Sequence, residues 1–211
     1  MTAIDKTPKA EILITTGCVH CPAVVDGLSQ LIKQGLIGEL RIINVTRHPE
    51  EATRRNARSA PWTRIGPFVL QGNYSREELR GWAERAASGE GMGEYFAELL
   101  QNQQLQLAVE LARNDPSQLD TLVALIADLD TPMGVRIGVG ALFEELAQHG
   151  QLSPALPGLI ALTRATDSQV RADAAHYLGL LGADTAREYL LPLLKDDNAE
   201  VREIAAESLQ S

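Results

Sequence analysis

The sequence predicts two domains of different class. An α/β unit with element order β-α-β-α-β-β-α is expected over residues 1–87, and an all-α unit of helical repeats over residues 94–211. Three observations point there. Residues 1–88 carry 12 Lys and Arg against 9 Asp and Glu, whereas residues 89–211 carry 7 against 19, so a formal charge of +3 gives way to −12. The change falls at Ser88-Gly89-Glu90-Gly91-Met92-Gly93, whose three glycines in six residues read as a linker over 88–93. The hydrophobic grammar also changes there, from short β-branched runs to helical spacing alone.

Composition bounds the function classes. Of the 211 residues 45% are hydrophobic and 22% charged, the balance of an ordinary globular protein. Aromatic residues make up only 4%, so the core must be built from Leu, Ile, Val and Ala. A formal net charge of −9 argues against a general nucleic-acid binder, which needs clustered Lys and Arg to meet phosphates. No apolar run reaches the roughly 18 residues of a membrane span, because Asp128 and Asp130 interrupt the best stretch. The first ten residues, MTAIDKTPKA, hold charges and a proline where a signal peptide needs an apolar segment. No membrane association is expected, and the cytoplasm is the expected location.

In the first half, residues 11–16 (EILITT) form a β-branched run ending at Gly17, which predicts a buried strand. From Cys21 to about Gln34, Val24, Val25, Leu28, Leu31 and Ile32 recur at helical spacing, and Gly35 follows. Residues 40–45 (LRIINV) predict a second strand, and residues 50–57 a short polar helix. Residues 62–65 and 68–70 flank Gly66-Pro67 as a hairpin. Ser75 and Glu78 have capping-box spacing and open a last helix through Trp82.

The second half repeats itself. Val170-Arg171, Ala174-Ala175 and Leu178 recur 31 residues later as Val201-Arg202, Ala205-Ala206 and Leu209. A weaker copy, Val135-Arg136, Val139-Gly140 and Phe143, lies 35 residues before the first. Small residues let adjacent helices approach, and residues 156–162 and 189–194 supply the opposing helices. Cap-Pro pairs at Asp115-Pro116, Thr131-Pro132 and Ser153-Pro154 mark helix starts. The pattern resembles HEAT-type repeats, about four helix pairs, and the resemblance implies a protein-binding surface. Arg136, Arg171 and Arg202 share one repeat position. They are expected to hydrogen-bond loop acids such as Asp167 or Asp197, or else to form a stripe for an acidic ligand.

Chemistry is concentrated in one motif. The only two cysteines are Cys18 and Cys21, enclosing Val19 and His20 where a strand hands over to a helix. A sulfur at a helix N-terminus faces free backbone N–H groups and the positive end of the dipole, which favour a thiolate at Cys18. Cys21, one turn deeper, can then attack a mixed disulfide formed at Cys18. Structural zinc is a minor alternative, since a tetrahedral site takes four protein ligands and no second Cys pair exists.

With this motif in place, residues 10–87 resemble the thioredoxin superfamily in a minimal, glutaredoxin-sized form. The passage Ile43-Asn44-Val45-Thr46-Arg47-His48-Pro49 is similar to the family's strand-to-helix passage, and Arg58-Ser59-Ala60-Pro61 follows at the family's interval. The resemblance implies that Pro61 is a cis-proline packed on the CxxC pair. It also implies that the Ala60 backbone pairs with an extended substrate strand. His20 matches the x-His-Cys pattern of more oxidising members such as protein disulfide isomerases, which implies a role in lowering the Cys18 pKa. Trp62 is expected either at an aromatic rim beside the site or in the core. Trp82 is expected in the core.

The chain also departs from the family. Ile12 stands where thioredoxins keep a buried Asp, Ile42 where they keep its Lys neighbour, and Gly17 where they keep a Trp. Ser59-Ala60-Pro61 only approximates the glutathione-binding turn of glutaredoxins. Pro22 removes an amide early in the helix and is expected to distort its first turn. His48, His149 and His176 are expected to be turn, helix-end and packed or surface residues.

The function these readings predict is a thiol–disulfide oxidoreductase acting on protein disulfides. Cys18 would attack, Cys21 resolve, His20 tune, and Ala60 and Pro61 orient the substrate. The helical repeats would select or position a protein partner. No dissociable cofactor is expected, because the electrons reside on the two sulfurs. The rival is a non-catalytic interaction protein whose repeats carry the binding function. A lesser alternative is a metal-handling protein using Cys18, His20 and Cys21.

Overall fold

The computed structural model describes residues 7–210. The chain divides into two compact units, with the boundary between Gly91 and Met92. Unit 1 is built on a small mixed sheet of four strands in the order β2-β1-β3-β4. Strand β1 (Lys9–Ile14) pairs parallel with β2 (Glu39–Asn44), Ile12 facing Ile42. It pairs antiparallel with β3 (Trp62–Ile65), and β3 forms a hairpin with β4 (Phe68–Gln71) across Gly66-Pro67.

Helix α1 (Cys21–Lys33) is the crossover that the parallel β1–β2 pair requires. It buries Val24, Leu28 and Leu31, three of the five residues that set its spacing in the sequence, while Ile32 is exposed. Helix α2 (Pro49–Arg54) follows β2, and α3 (Arg76–Ser88) follows the hairpin. The capping box on α3 is complete: Ser75 Oγ accepts from the Glu78 amide at 3.2 Å, and Glu78 Oε2 accepts from the Ser75 amide at 2.7 Å. Leu79 and Trp82 on α3 are buried, and Trp82 meets Phe68 at 4.8 Å between ring centroids.

Element ends differ from the sequence expectation where side chains intervene. Strand β1 stops at Ile14 because the Thr15 carbonyl accepts the Cys18 amide and the Thr16 amide turns to Thr46 Oγ1. Helix α2 ends at Arg54, short of residue 57, where Asn56 takes a positive φ of 51°. Helix α3 runs to Ser88 and α4 (Met92–Gln101) begins at Met92, so only Gly89, Glu90 and Gly91 lie between helices.

Unit 2 is helical throughout its described residues. After α4 come α5 (Leu105–Asn114), α6 (Gln118–Ala127) and α7 (Met133–Gln148), then a 3₁₀ turn at Ser153–Ala155. Helices α8 (Leu156–Leu162), α9 (Ser168–Gly179), α10 (Ala183–Leu193) and α11 (Ala199–Ser208) complete the array. Most repeated positions are packed: Val135, Val139 and Phe143, then Val170, Ala174, Ala175 and Leu178, then Val201 and Ala205 are buried, while Gly140, Ala206 and Leu209 are half-buried. Helices α9 and α11 approach closely, and a Cβ on Gly179 would lie 2.7 Å from Ser208 Cβ. Of the three cap-Pro signals, Ser153-Pro154 opens the 3₁₀ turn rather than α8, and Pro116 and Pro132 lie just outside α6 and α7. No helix among the described residues is long and apolar enough to cross a membrane.

The recurring arginines are structural. Arg136 donates to the Ile126 and Asp128 carbonyls at 2.8 and 3.1 Å and pairs with Asp173. Arg171 donates to the Ala165 and Thr166 carbonyls, both at 2.9 Å, and forks onto Asp196 with a further contact to Asp197. Arg202 donates to the Asp196 and Asp197 carbonyls at 2.7 and 3.0 Å. Each side chain thus closes the loop ahead of its own helix, and the first two reach onward to an acid of the next repeat. Asp167, expected as a partner, instead caps α9 by accepting the Gln169 amide at 2.8 Å. Of the other singled-out histidines, His149 caps the end of α7, while His176 is exposed with its ring 5.2 Å from Tyr177.

Candidate functional site

Cys18 and Cys21 form a disulfide at the carboxyl end of β1, with Cα atoms 5.5 Å apart. The turn between strand and helix is short because Gly17 adopts φ +81°, a conformation L side chains rarely take. A polar tie holds this turn to the end of β2. The Thr16 amide donates to Thr46 Oγ1 at 3.0 Å, Asn44 Nδ2 donates to Thr16 Oγ1 at 3.2 Å, and the Thr46 amide donates to Asn44 Oδ1 at 3.0 Å. Nothing in the sequence marks Thr16 or Thr46 as members of a site. Their only signal was a hydroxyl residue two positions past the end of each parallel strand.

The two sulfurs differ in their surroundings. Cys21 is the first residue of α1 and is 4% exposed, whereas Cys18 sits half-buried at the surface. Cys18 Sγ accepts a hydrogen bond from the Cys21 amide at 3.1 Å, one of the donors a helix leaves free at its first turn. The first turn of α1 carries no acidic residue to oppose negative charge there. Such an arrangement favours a thiolate on the outer sulfur once the bond is opened.

His20 occupies the N-cap position of α1, is exposed, and makes no side-chain capping bond. Pro22 falls at the second position of the helix, where an amide has no intrahelical acceptor, so the expected distortion does not arise. Val19, directly beside Cys18, is 82% exposed.

The Ala60–Pro61 peptide bond is cis, as the family resemblance implied. Because Leu13 pairs with Trp62 in the antiparallel register, this segment enters β3 at the end of β1 that leads to Cys18. Ala60 lines a cleft of about 140 Å³ with Leu13, Thr15, Val45, Ala52, Ala57, Arg58 and Ser59. The Pro61 carbonyl is taken by the Gly72 amide at 2.9 Å, while the Ala60 backbone has no hydrogen-bond partner among the described residues. Trp62 does not line this cleft. Its side chain is 1% exposed, which settles the choice between rim and core in favour of the core.

The positions that depart from the thioredoxin pattern also differ from each other. Ile12 is fully buried, so an apolar side chain fills that place. Ile42 is 46% exposed, because β2 is an edge of the sheet.

The family model for HEAT repeats matches residues 140–210, from within α7 to the end of α11. No curated protein matches the chain. The helical repeats therefore carry the shown similarity, and they suggest a role in protein interaction.

Proposed function

We propose that the protein is a thiol–disulfide oxidoreductase of the thioredoxin type whose HEAT-like repeats hold a protein partner. The observation that carries this reading is the asymmetry of the Cys18–Cys21 pair: an outer sulfur beside a helix-terminal amide, and an inner one buried in α1. The mixed sheet order, and the open backbone at Ala60 on the same end of the sheet, support it further.

In the reducing direction the Cys18 thiolate attacks one sulfur of a substrate disulfide. The substrate S–S bond breaks, a Cys18–substrate disulfide forms, and the first substrate thiolate takes a proton from solvent. Cys21, deprotonated, then attacks Cys18 Sγ, forming the Cys18–Cys21 bond and releasing the second substrate thiol. Two electrons pass from the chain to the substrate, while the Cys21 proton is released to solvent and the substrate thiolates are protonated from it; the reverse sequence oxidises a dithiol. An extended substrate segment would lie along Ala60 and Pro61, with Val19 offering an apolar contact.

The second reading, a scaffold without turnover, is favoured by Ile12, an apolar residue where thioredoxins place the acid that assists the second cysteine. The test is a redox equilibrium in glutathione and dithiothreitol buffers, with thiols trapped and counted by mass. A reversible two-electron transition supports the oxidoreductase. A pair that never opens or never closes in those buffers overturns it.

A further inference from the structure

The sheet of unit 1 has an open edge. Among the described residues no strand lies beyond β2 in the order β2-β1-β3-β4. The Val45 amide donates to the Ile14 carbonyl at 2.9 Å, which fixes the alternation along the strand. Arg41 and Ile43 therefore turn their backbone groups to β1, while Leu40 and Ile42 direct both N–H and C=O outward, as Asn44 does its N–H. The Asn44 carbonyl is already taken by the Arg47 and His48 amides at 3.0 and 3.1 Å.

Beside this edge runs a cleft of about 470 Å³ lined by Arg41, Ile42, Ile43, Asn44, Arg47, His48 and Glu51. Its charges are unequal. Glu51 is engaged by Arg54 and Arg55, and its pKa is lowered chiefly by the hydrogen bond from Arg54. Arg41 is half-exposed and reaches Glu11 only at 3.6 Å, while Glu11 is held more closely by Arg55. Arg47 is exposed and has no carboxylate partner among the described residues. The groove thus presents unpaired strand amides, an apolar Ile42 and surplus positive charge.

We infer that the β2 edge binds an acidic, extended peptide segment of a partner protein by strand addition, independently of the thiol chemistry. Main-chain bonds to Leu40 and Ile42 would supply register, and Arg41 and Arg47 would select for Glu and Asp. A second copy of this chain is the poorer occupant. Pairing β2 with β2 would join two grooves that each carry the surplus positive charge of Arg41 and Arg47, whereas an acidic peptide neutralises it.

The test titrates the ¹⁵N-labelled full chain with a synthetic Glu-Val-Glu-Val-Glu-Val-Glu peptide, and with its Lys-Val counterpart. The amides of Leu40, Ile42 and Asn44 shift with the acidic peptide and not with the basic one. Ile42→Pro removes an outward donor that the β1 ladder does not use, and Arg47→Glu reverses the unpaired charge. Each weakens binding by about tenfold or more. Arg47→Glu alters an exposed side chain without a carboxylate partner and keeps the test sound if the proline variant fails to fold. Equal response to both peptides, no response, or shifts confined elsewhere overturns the proposal. So does a concentration-dependent dimer that Ile42→Pro or Arg47→Glu dissolves.

Discussion

Cys18 Sγ accepts a hydrogen bond from the amide of Cys21, the residue to which it is also covalently joined. On the proposed function, the inner residue would stabilise charge on the outer sulfur through its backbone and displace a substrate through its own sulfur. Separating these two actions predicts that Cys21→Ser traps mixed disulfides, because its amide remains while its nucleophile is gone. Cys18→Ser forms none. Incubation with a disulfide-bonded protein substrate, followed by non-reducing electrophoresis and mass analysis, reads both outcomes. Equal adducts on the two variants would contradict the assigned roles.

Arg171 joins Asp196, Asp197 and two loop carbonyls at one point of the repeat array. Arg171→Met leaves two carboxylates, Asp196 and Asp197, and two loop carbonyls without their donor. A loss of about 2–4 kcal/mol in the stability of the helical unit is expected, measured by urea unfolding followed by circular dichroism.

The same pair predicts acid sensitivity. The hydrogen bonds from Arg171 hold the Asp196 carboxyl well below the usual carboxylate range, outweighing the opposing effect of burial. A depressed folded-state pKa contributes stability above the unfolded value. That contribution is lost as pH falls below the ordinary carboxylate range towards the folded one. Stability should decline on acidification more steeply in the parent chain than in Asp196→Asn, and a parallel decline would refute the link.

At the alkaline end, burial pushes the Tyr177 hydroxyl up to about 12 from 10.0, with Asp173 adding to the shift. The folded state keeps the proton while the unfolded chain releases it. The stabilisation is therefore complete below pH 10 and is lost as pH rises towards 12. Tyr177→Phe should flatten this alkaline decline in thermal unfolding. An unchanged slope would count against it.

Gly179 and Ser208 test the close approach of α9 and α11. Gly179→Ala should cost about 1–3 kcal/mol, since the new Cβ meets both Cβ and Cα of Ser208. Gly179→Ala with Ser208→Gly should recover part of that loss in a double-mutant cycle. Strict additivity would show that the two positions do not touch.

Local patterns made much of this molecule legible. The capping box at Ser75 and Glu78, the Gly66-Pro67 hairpin and the repeated Val-Arg-Ala-Ala register depend on residues a few positions apart, which periodicity reports directly. The Thr16–Asn44–Thr46 tie was invisible because its members lie 28 and 30 residues apart and join only after two strands align. Trp62 looked ambiguous because it follows Pro61, and only its burial in the folded unit, at 1% exposure, shows that it lies inside. The choice of acids was right for Asp197, which Arg171 reaches, and wrong for Asp167, for a related reason. Asp167, Asp173 and Asp196 look alike in sequence, and helix stacking alone decides which one Arg136 or Arg171 can reach.

The arginine ladder has a mechanical meaning as well. Because Arg171 fastens the loop before α9 and also the acids before α11, opening the last two helices means breaking a forked ion pair at one point. Without such a fastening, contacts could peel away residue by residue. Fraying from that end is therefore held at a latch, and α10 and α11 should come loose as a block, seen in hydrogen exchange as amides that open together.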